Sequence, residues 1–155
     1  MENVGTFSTI TTTTSSVEEE EFKEFLSTLP KQSNGYGTQL YFCQDFWCPD
    51  IAIKPIISFQ KHFQARDTDI ILASNPKSGT TWLKAVIHLI ANWTQYSTLN
   101  DSPLFTSHPY DIVPYFELDL YMKNQFPDLK SIPEPRILGT HMPYVGSLIQ
   151  HWAYI

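Results

Sequence analysis

The chain has two cysteines, six glycines, fewer bases than acids and no long apolar run in 155 residues. Each shortage excludes something. Cys43 and Cys48 are separated by four residues, with no Cys-x-x-Cys and no second pair of ligands. Two buried thiols are therefore expected, and a disulfide or a zinc pair is the less supported reading. No stretch approaches the roughly eighteen consecutive apolar residues of a membrane helix, so no membrane partner is expected. Lys and Arg number 10 against 16 Asp and Glu. Five of those acids fall in Met1 to Glu21, which has no Lys or Arg, so the remainder is close to neutral. Without a broad basic face, nucleic acid is not an expected partner, and any pull on an anion must come from local groups. Met1 to Val17 also lacks the apolar core of a signal peptide and the arginines of a transit peptide, which points to the cytoplasm.

The apolar share of 42%, with 14% aromatic residues, is enough to bury one core. The Thr/Ser-rich segment 1–17 is read as a disordered tail and 18–155 as the folded part. Phe22, Phe25, Leu26 and Leu29 share one helical face that Pro30 ends. Pro55 to Ala65 places Ile56, Phe59 and Phe63 at helical spacing, with the proline near the start. His62 lies off that stripe and reads as a solvated or capping residue. The proline-rich stretch Asp101 to Asp128 suggests short helices around Asp111 to Tyr121.

The most informative stretch is DTDIILASNPKSGTTWLKAVIHLIANW, from Asp67 to Trp93. Ile70, Ile71, Leu72 and Ala73 read as a strand of a parallel sheet, ended by Pro76. From Thr81 to Trp93 nearly every residue is apolar except Lys84, His88 and Asn92, spaced four apart, so a mostly buried helix with one narrow polar stripe is expected. A strand that delivers Lys77, Ser78, Gly79, Thr80 and Thr81 onto a helix N-terminus gathers backbone N–H groups, hydroxyls and an ammonium around one point. Such a point suits phosphate or sulfate. The G-x-x-x-x-G-K-[ST] order fails, because Lys77 precedes Gly79 and no glycine lies just upstream.

Asn75 to Trp82, NPKSGTTW, resembles residue for residue the phosphosulfate-binding loop of the soluble sulfotransferases. The flanking QKHFQARDTDIIL, HPYDIVPYFELDLY and PRILGTHMPY look like the plant cytosolic branch, so the resemblance runs from about Glu20 to Val145. It implies an α/β fold, a P-loop-like parallel sheet with flanking helices. It also implies the donor 3'-phosphoadenosine 5'-phosphosulfate (PAPS), the product 3'-phosphoadenosine 5'-phosphate (PAP), a small hydroxylated acceptor such as a flavonoid, steroid or jasmonate, and no metal. By the same resemblance Lys77, Ser78, Gly79, Thr80 and Thr81 hold the phosphosulfate, and Trp82 packs near the adenine or else anchors the core. Phe46 and Trp47 flank the acceptor or are core; Tyr144 joins them on the acceptor side. Phe105, Tyr110, Tyr115 and Phe116 are further pocket candidates.

Arg136 to Thr140 reads as a second strand with His141 at its end. A crossover through the Thr81 helix would return it parallel to the first, bringing His141 to the edge that carries Lys77. Thr140, His141 and Pro143 match the family's Thr-His-x-Pro, which makes His141 the base and Lys77 the cation that holds the charge on the leaving phosphate.

Two departures stand out. Many animal relatives carry a lysine just before Thr-His, where this chain has Gly139. Family members also continue into the Arg, Ser and Arg-Lys-Gly groups that grip the donor's 3'-phosphate, which this sequence does not contain, so the domain reads as truncated. An exposed sheet edge would invite self-association. A phosphate-binding, non-catalytic fragment is therefore the alternative function, and an ATP-dependent phosphotransferase a weaker one, having no visible magnesium-holding acid after a strand.

Overall fold

A computed structural model describes residues 19–143 except Tyr36. The expected tail over 1–17 and the acceptor-side Tyr144 lie outside the described residues. The chain divides into two compact units that meet at Asp50 and Ile51.

The first unit begins with helix α1 over 19–28, with Phe22, Leu26 and Leu29 half-buried and Phe25 more exposed. A meander that the sequence reading did not anticipate follows: β1 (Lys31–Ser33), β2 (Gln39–Cys43) and β3 (Phe46–Pro49), all antiparallel. Gln44 and Asp45 adopt φ of 52° and 66°, the left-handed pair that closes a two-residue hairpin with the strands' own twist. Cys43 and Cys48 are buried free thiols, and burial pushes Cys48 up to about 11.

The second unit is built on α2 (Asp50–His62), whose Ala52, Ile53, Ile56 and Phe59 are buried. The helix starts five residues before the expected Pro55, because Asp50 supplies an acid to the first turn and Pro55 is accommodated inside it. Phe59 stacks on Phe116 at 4.1 Å between centroids and meets Tyr121 edge-on at 5.7 Å, while Phe63 meets Phe116 at 4.6 Å. His62 is half-buried against Phe126.

β4 (Ile70–Ala73) leads through the loop into α3 (Thr80–Ala91), and β5 (Ile137–Thr140) returns parallel to β4, from Ile70 opposite Ile137 to Ala73 opposite Thr140. Between them lie α4 (Pro109–Ile112), a wide turn of helix over Phe116–Leu120 and α5 (Tyr121–Lys123). The outer side of β5 is occupied by Pro114 and Tyr115, with Gly139 N–H donating to Pro114 O at 2.8 Å. No strand pairs with the outer side of β4 among the described residues.

α3 departs from expectation. Its polar stripe points inward: Lys84 is fully buried and Asn92 nearly so, while Trp82, Ile90 and the following Trp93 are about 70% exposed. The stripe can be buried because each member has a partner. Lys84 Nζ donates to Val113 O at 2.6 Å, His88 Nε2 meets Tyr96 Oη at 2.8 Å, and Asn92 Nδ2 donates to His88 O at 3.0 Å.

The starts of both strands are clasped by a buried ion pair. Arg136 donates from Nε to Asp69 Oδ1 at 2.7 Å and from Nη2 to Oδ2 at 2.5 Å, with both side chains 3% exposed. It also donates to Gln64 O at 3.2 Å. Removing one member of a buried pair strands the other charge, at about 3–5 kcal/mol. Asp69→Ala should therefore lose that much stability in urea unfolding, and a loss under about 1 kcal/mol would mean that the clasp does not hold the strands together.

Candidate functional site

The β4–β5 pairing fixes the site. Because Ala73 faces Thr140, the next residues, Ser74 and His141, leave the sheet side by side. Ser74 N–H donates to Thr140 O at 3.1 Å, and His141 Nδ1 lies 2.7 Å from Ser74 O. A carbonyl can only accept, so Nδ1 carries the proton and the neutral ring keeps its lone pair on Nε2.

From Ser74 the chain enters the loop. Ser78 donates from N–H and from Oγ to Asn75 O, at 3.3 and 2.6 Å, making a tight turn. Lys77 and Gly79 both have left-handed backbones, φ 63° and 89°. Gly79 meets the positive φ without strain and is the N-cap of α3; Lys77 is held at it by the turn. Left-handed residues set between right-handed ones turn successive N–H groups to one side, a concavity that suits an anion. No side chain caps α3, and the first N–H groups of a helix have no intrahelical acceptor. Nothing lies within 4 Å of where a Gly79 Cβ would sit, and Asn75 to Gly79 are all exposed. The loop thus presents an uncapped positive helix end to solvent.

Thr80 is buried, its Oγ1 2.7 Å from Ser74 Oγ, which ties the helix start to the strand end. Thr81 Oγ1 donates to Tyr110 Oη at 3.0 Å, and this hydrogen bond lowers the Tyr110 pKa, with a smaller contribution from Lys77. Trp82 is 69% exposed, so it does not anchor this core. Phe46 and Trp47 stand on β3 of the first unit, where Trp47 packs 5.3 Å from Phe42. The structure therefore assembles Ser74, the loop, Thr80, Thr81 and His141 around one strand edge.

Three residues here escaped the sequence reading of the site. Glu117, 2% exposed, accepts from Thr140 Oγ1 at 3.0 Å and from His141 N–H at 2.6 Å. Tyr115, considered above only as a pocket candidate, lays its ring 4.7 Å from the His141 ring. Its Oη lies near the Thr80 and Tyr110 hydroxyls but makes no hydrogen bond of normal geometry, and burial pushes its pKa up. Lys84 sits beneath that ring, 3.2 Å from its centroid. Burial lowers the Lys84 pKa from 10.5 to about 8, against the pull of Glu117 and Asp119. The available signal was an acid and a lysine inside otherwise apolar runs.

This geometry defines a class, an α/β domain with an uncapped helix start after a strand-loop and a histidine on the adjoining strand end. Residues 67–153 match the sulfotransferase domain. The chain is 47% identical over 131 residues to cytosolic sulfotransferase 15 of Arabidopsis thaliana, covering 83% of this chain and 36% of that protein. It is 44% identical over 128 residues to cytosolic sulfotransferase 14 of the same plant, covering 80% and 37%. A crystal structure of an Arabidopsis thaliana protein described as a steroid sulphotransferase superposes with a TM-score of 0.71 at 36% identity, over 79% of this chain and 44% of that one. The chain belongs to the sulfotransferase family, and it spans less than two fifths of the length of these curated relatives.

Two outcomes follow. Glu117→Ala leaves the Thr140 hydroxyl and the His141 N–H without their acceptor, at about 1–3 kcal/mol for each stranded group. Glu117→Gln, which keeps one carboxyl-like oxygen, should lose less, and equal losses in urea unfolding would refute the two-acceptor role. For Lys84 the folded pKa lies below the unfolded one, so between about 8 and 10.5 the unfolded chain binds more protons and folding gains stability as pH rises. The stability of the native chain relative to Lys84→Met should be flat below about pH 8 and climb from there to 10.5; a flat difference throughout would show that the ammonium pays no burial cost.

Proposed function

We propose that this chain carries the phosphosulfate end of a PAPS site and the base for sulfuryl transfer to a hydroxyl group. The observation that carries the reading is the shared strand edge, where an uncapped helix end and its loop adjoin a histidine whose Nδ1 is committed to Ser74 O. PAPS supplies the activated sulfuryl group. Lys77, the Ser78 turn and the N–H groups from Gly79 to Thr81 hold its negative oxygens, and the Lys77 ammonium balances the charge left on the departing phosphate. His141 receives the acceptor's hydroxyl proton at Nε2, the nitrogen left with a lone pair. The exposed Trp82 indole offers a flat apolar face for the adenine. The acceptor is a small hydroxylated metabolite of the flavonoid, steroid or jasmonate type, with Phe46, Trp47 and Tyr144 on its side and the cytoplasm as the compartment. No metal takes part in this scheme.

A second reading is supported by length. The chain spans 36% of cytosolic sulfotransferase 15, and in this reading these residues by themselves bind phosphate without turnover. The phosphotransferase alternative has no support from the family match.

Calorimetric titration of the full chain with PAP tests the common part of both readings. Native protein should bind, and Lys77→Ala should lose about 10- to 100-fold in affinity, the equivalent of a charged hydrogen bond of about 1.5–3 kcal/mol. No heat of binding from a folded native chain would overturn the site. Production of sulfated acceptor from PAPS would then separate the active enzyme from the fragment.

A further inference from the structure

We infer that Lys84 is a positioning residue for His141, acting through the ring of Tyr115 from the space that a side chain at position 139 would otherwise fill. The inference rests on the reading of His141 as the base.

Four observations meet at this point. Lys84 is fully buried in the middle of α3, and its Nζ donates to Val113 O at 2.6 Å, in the segment that runs along β5. The same ammonium lies over the Tyr115 ring at 3.2 Å and over the Tyr110 ring at 4.5 Å from the centroids. Tyr115 in turn meets His141 at 4.7 Å with the rings tilted by 43°, so cation, phenol and imidazole are in contiguous contact. A Cβ on Gly139 would stand 2.9 Å from Lys84 Cε, 3.3 Å from its Nζ and 3.2 Å from Tyr115 Cδ1. Glycine at 139 and lysine at 84 are thus spatially one choice.

The energetics explain the role. An ammonium taken out of water carries a large desolvation cost that one carbonyl does not offset, and an aromatic face recovers part of it, about 2 kcal/mol when the cation is dry. That attraction acts on Tyr115 as much as on Lys84. It holds flat a ring whose own hydroxyl makes no hydrogen bond that would orient it. With Tyr115 fixed, the His141 ring is flanked on one face while Glu117 holds its backbone N–H and Ser74 O its Nδ1. The ring cannot turn over without losing the Ser74 bond, so Nε2 stays the basic nitrogen. A lysine serving only to fill space would do none of this, and methionine would replace it.

Imidazole nuclear magnetic resonance of the full chain reads the effect directly, with His141 assigned by its loss in His141→Gln. Native protein should show the Nδ1–H tautomer and His141 ring protons shifted upfield by the Tyr115 ring current. Lys84→Met, which keeps the bulk and removes the charge, should lose that ring-current displacement and give a mixture of tautomers. Gly139→Ala, which presses on Lys84 from the strand side, should do the same. An unchanged His141 spectrum in a folded Lys84→Met chain would overturn the inference. Should the variants not fold, the native chain decides: cross-relaxation linking the Lys84 ε-protons to the Tyr115 ring and that ring to His141 is expected, and its absence overturns the proposal. Calorimetry with PAP judges the donor site separately, so failure of that reading and failure of this one are distinguishable.

Discussion

Everything in the site depends on the register of one parallel strand pair. With Ala73 opposite Thr140, the two strand ends deliver Ser74 and His141 together, and the Ser74 carbonyl can take the proton of Nδ1. A slip of one residue would turn His141 to the other side of the sheet and break the bond. The Arg136–Asp69 clasp holds the other ends of the same strands in register. It is a buried, bidentate pair, whose worth lies in geometry as much as in energy.

A second layer of support comes from the segment that crosses behind β5. Pro114 accepts from Gly139, Tyr115 flanks His141, and Glu117 holds both Thr140 and the His141 N–H. Lys84 reaches this segment from α3, which explains why a helix of apolar composition turns its polar stripe inward. The exchange leaves Trp82 and Ile90 exposed, with Trp93 just beyond the helix. Helix α3 therefore does two things: its N-terminus opens uncapped beside the strand edge, and its buried face packs against the segment that flanks His141.

Much of this was legible in the sequence. The β4 span, the loop, the helix after it and the strand ending in Thr140 all follow from short apolar runs, a proline stop and a helical period, and the resemblance of the chain to the sulfotransferases is borne out by the family match. What was not legible depends on partners distant in sequence. The inward turn of Lys84 requires Val113 O and two tyrosine rings some thirty residues on. Glu117 reads as one acid among apolar neighbours until β5 places two donors beside it. The β1–β3 meander was missed because its strands are short and half-exposed, with hydrophobic periodicity too weak to register. The early start of α2 shows the limit of the proline signal, which marks a first turn more often than an interior position.

These residues hold the β4–β5 pairing, and with it the site, as a stable unit. Amide hydrogen exchange on the full chain tests this most directly, because Ile70 N–H, Ser74 N–H and Gly139 N–H donate to Arg136 O, Thr140 O and Pro114 O. These three amides should be as protected as those in the interior of α2, exchanging only through the largest opening of the second unit. Exchange of these amides at the rate of unstructured peptide, while α2 stays protected, would contradict it.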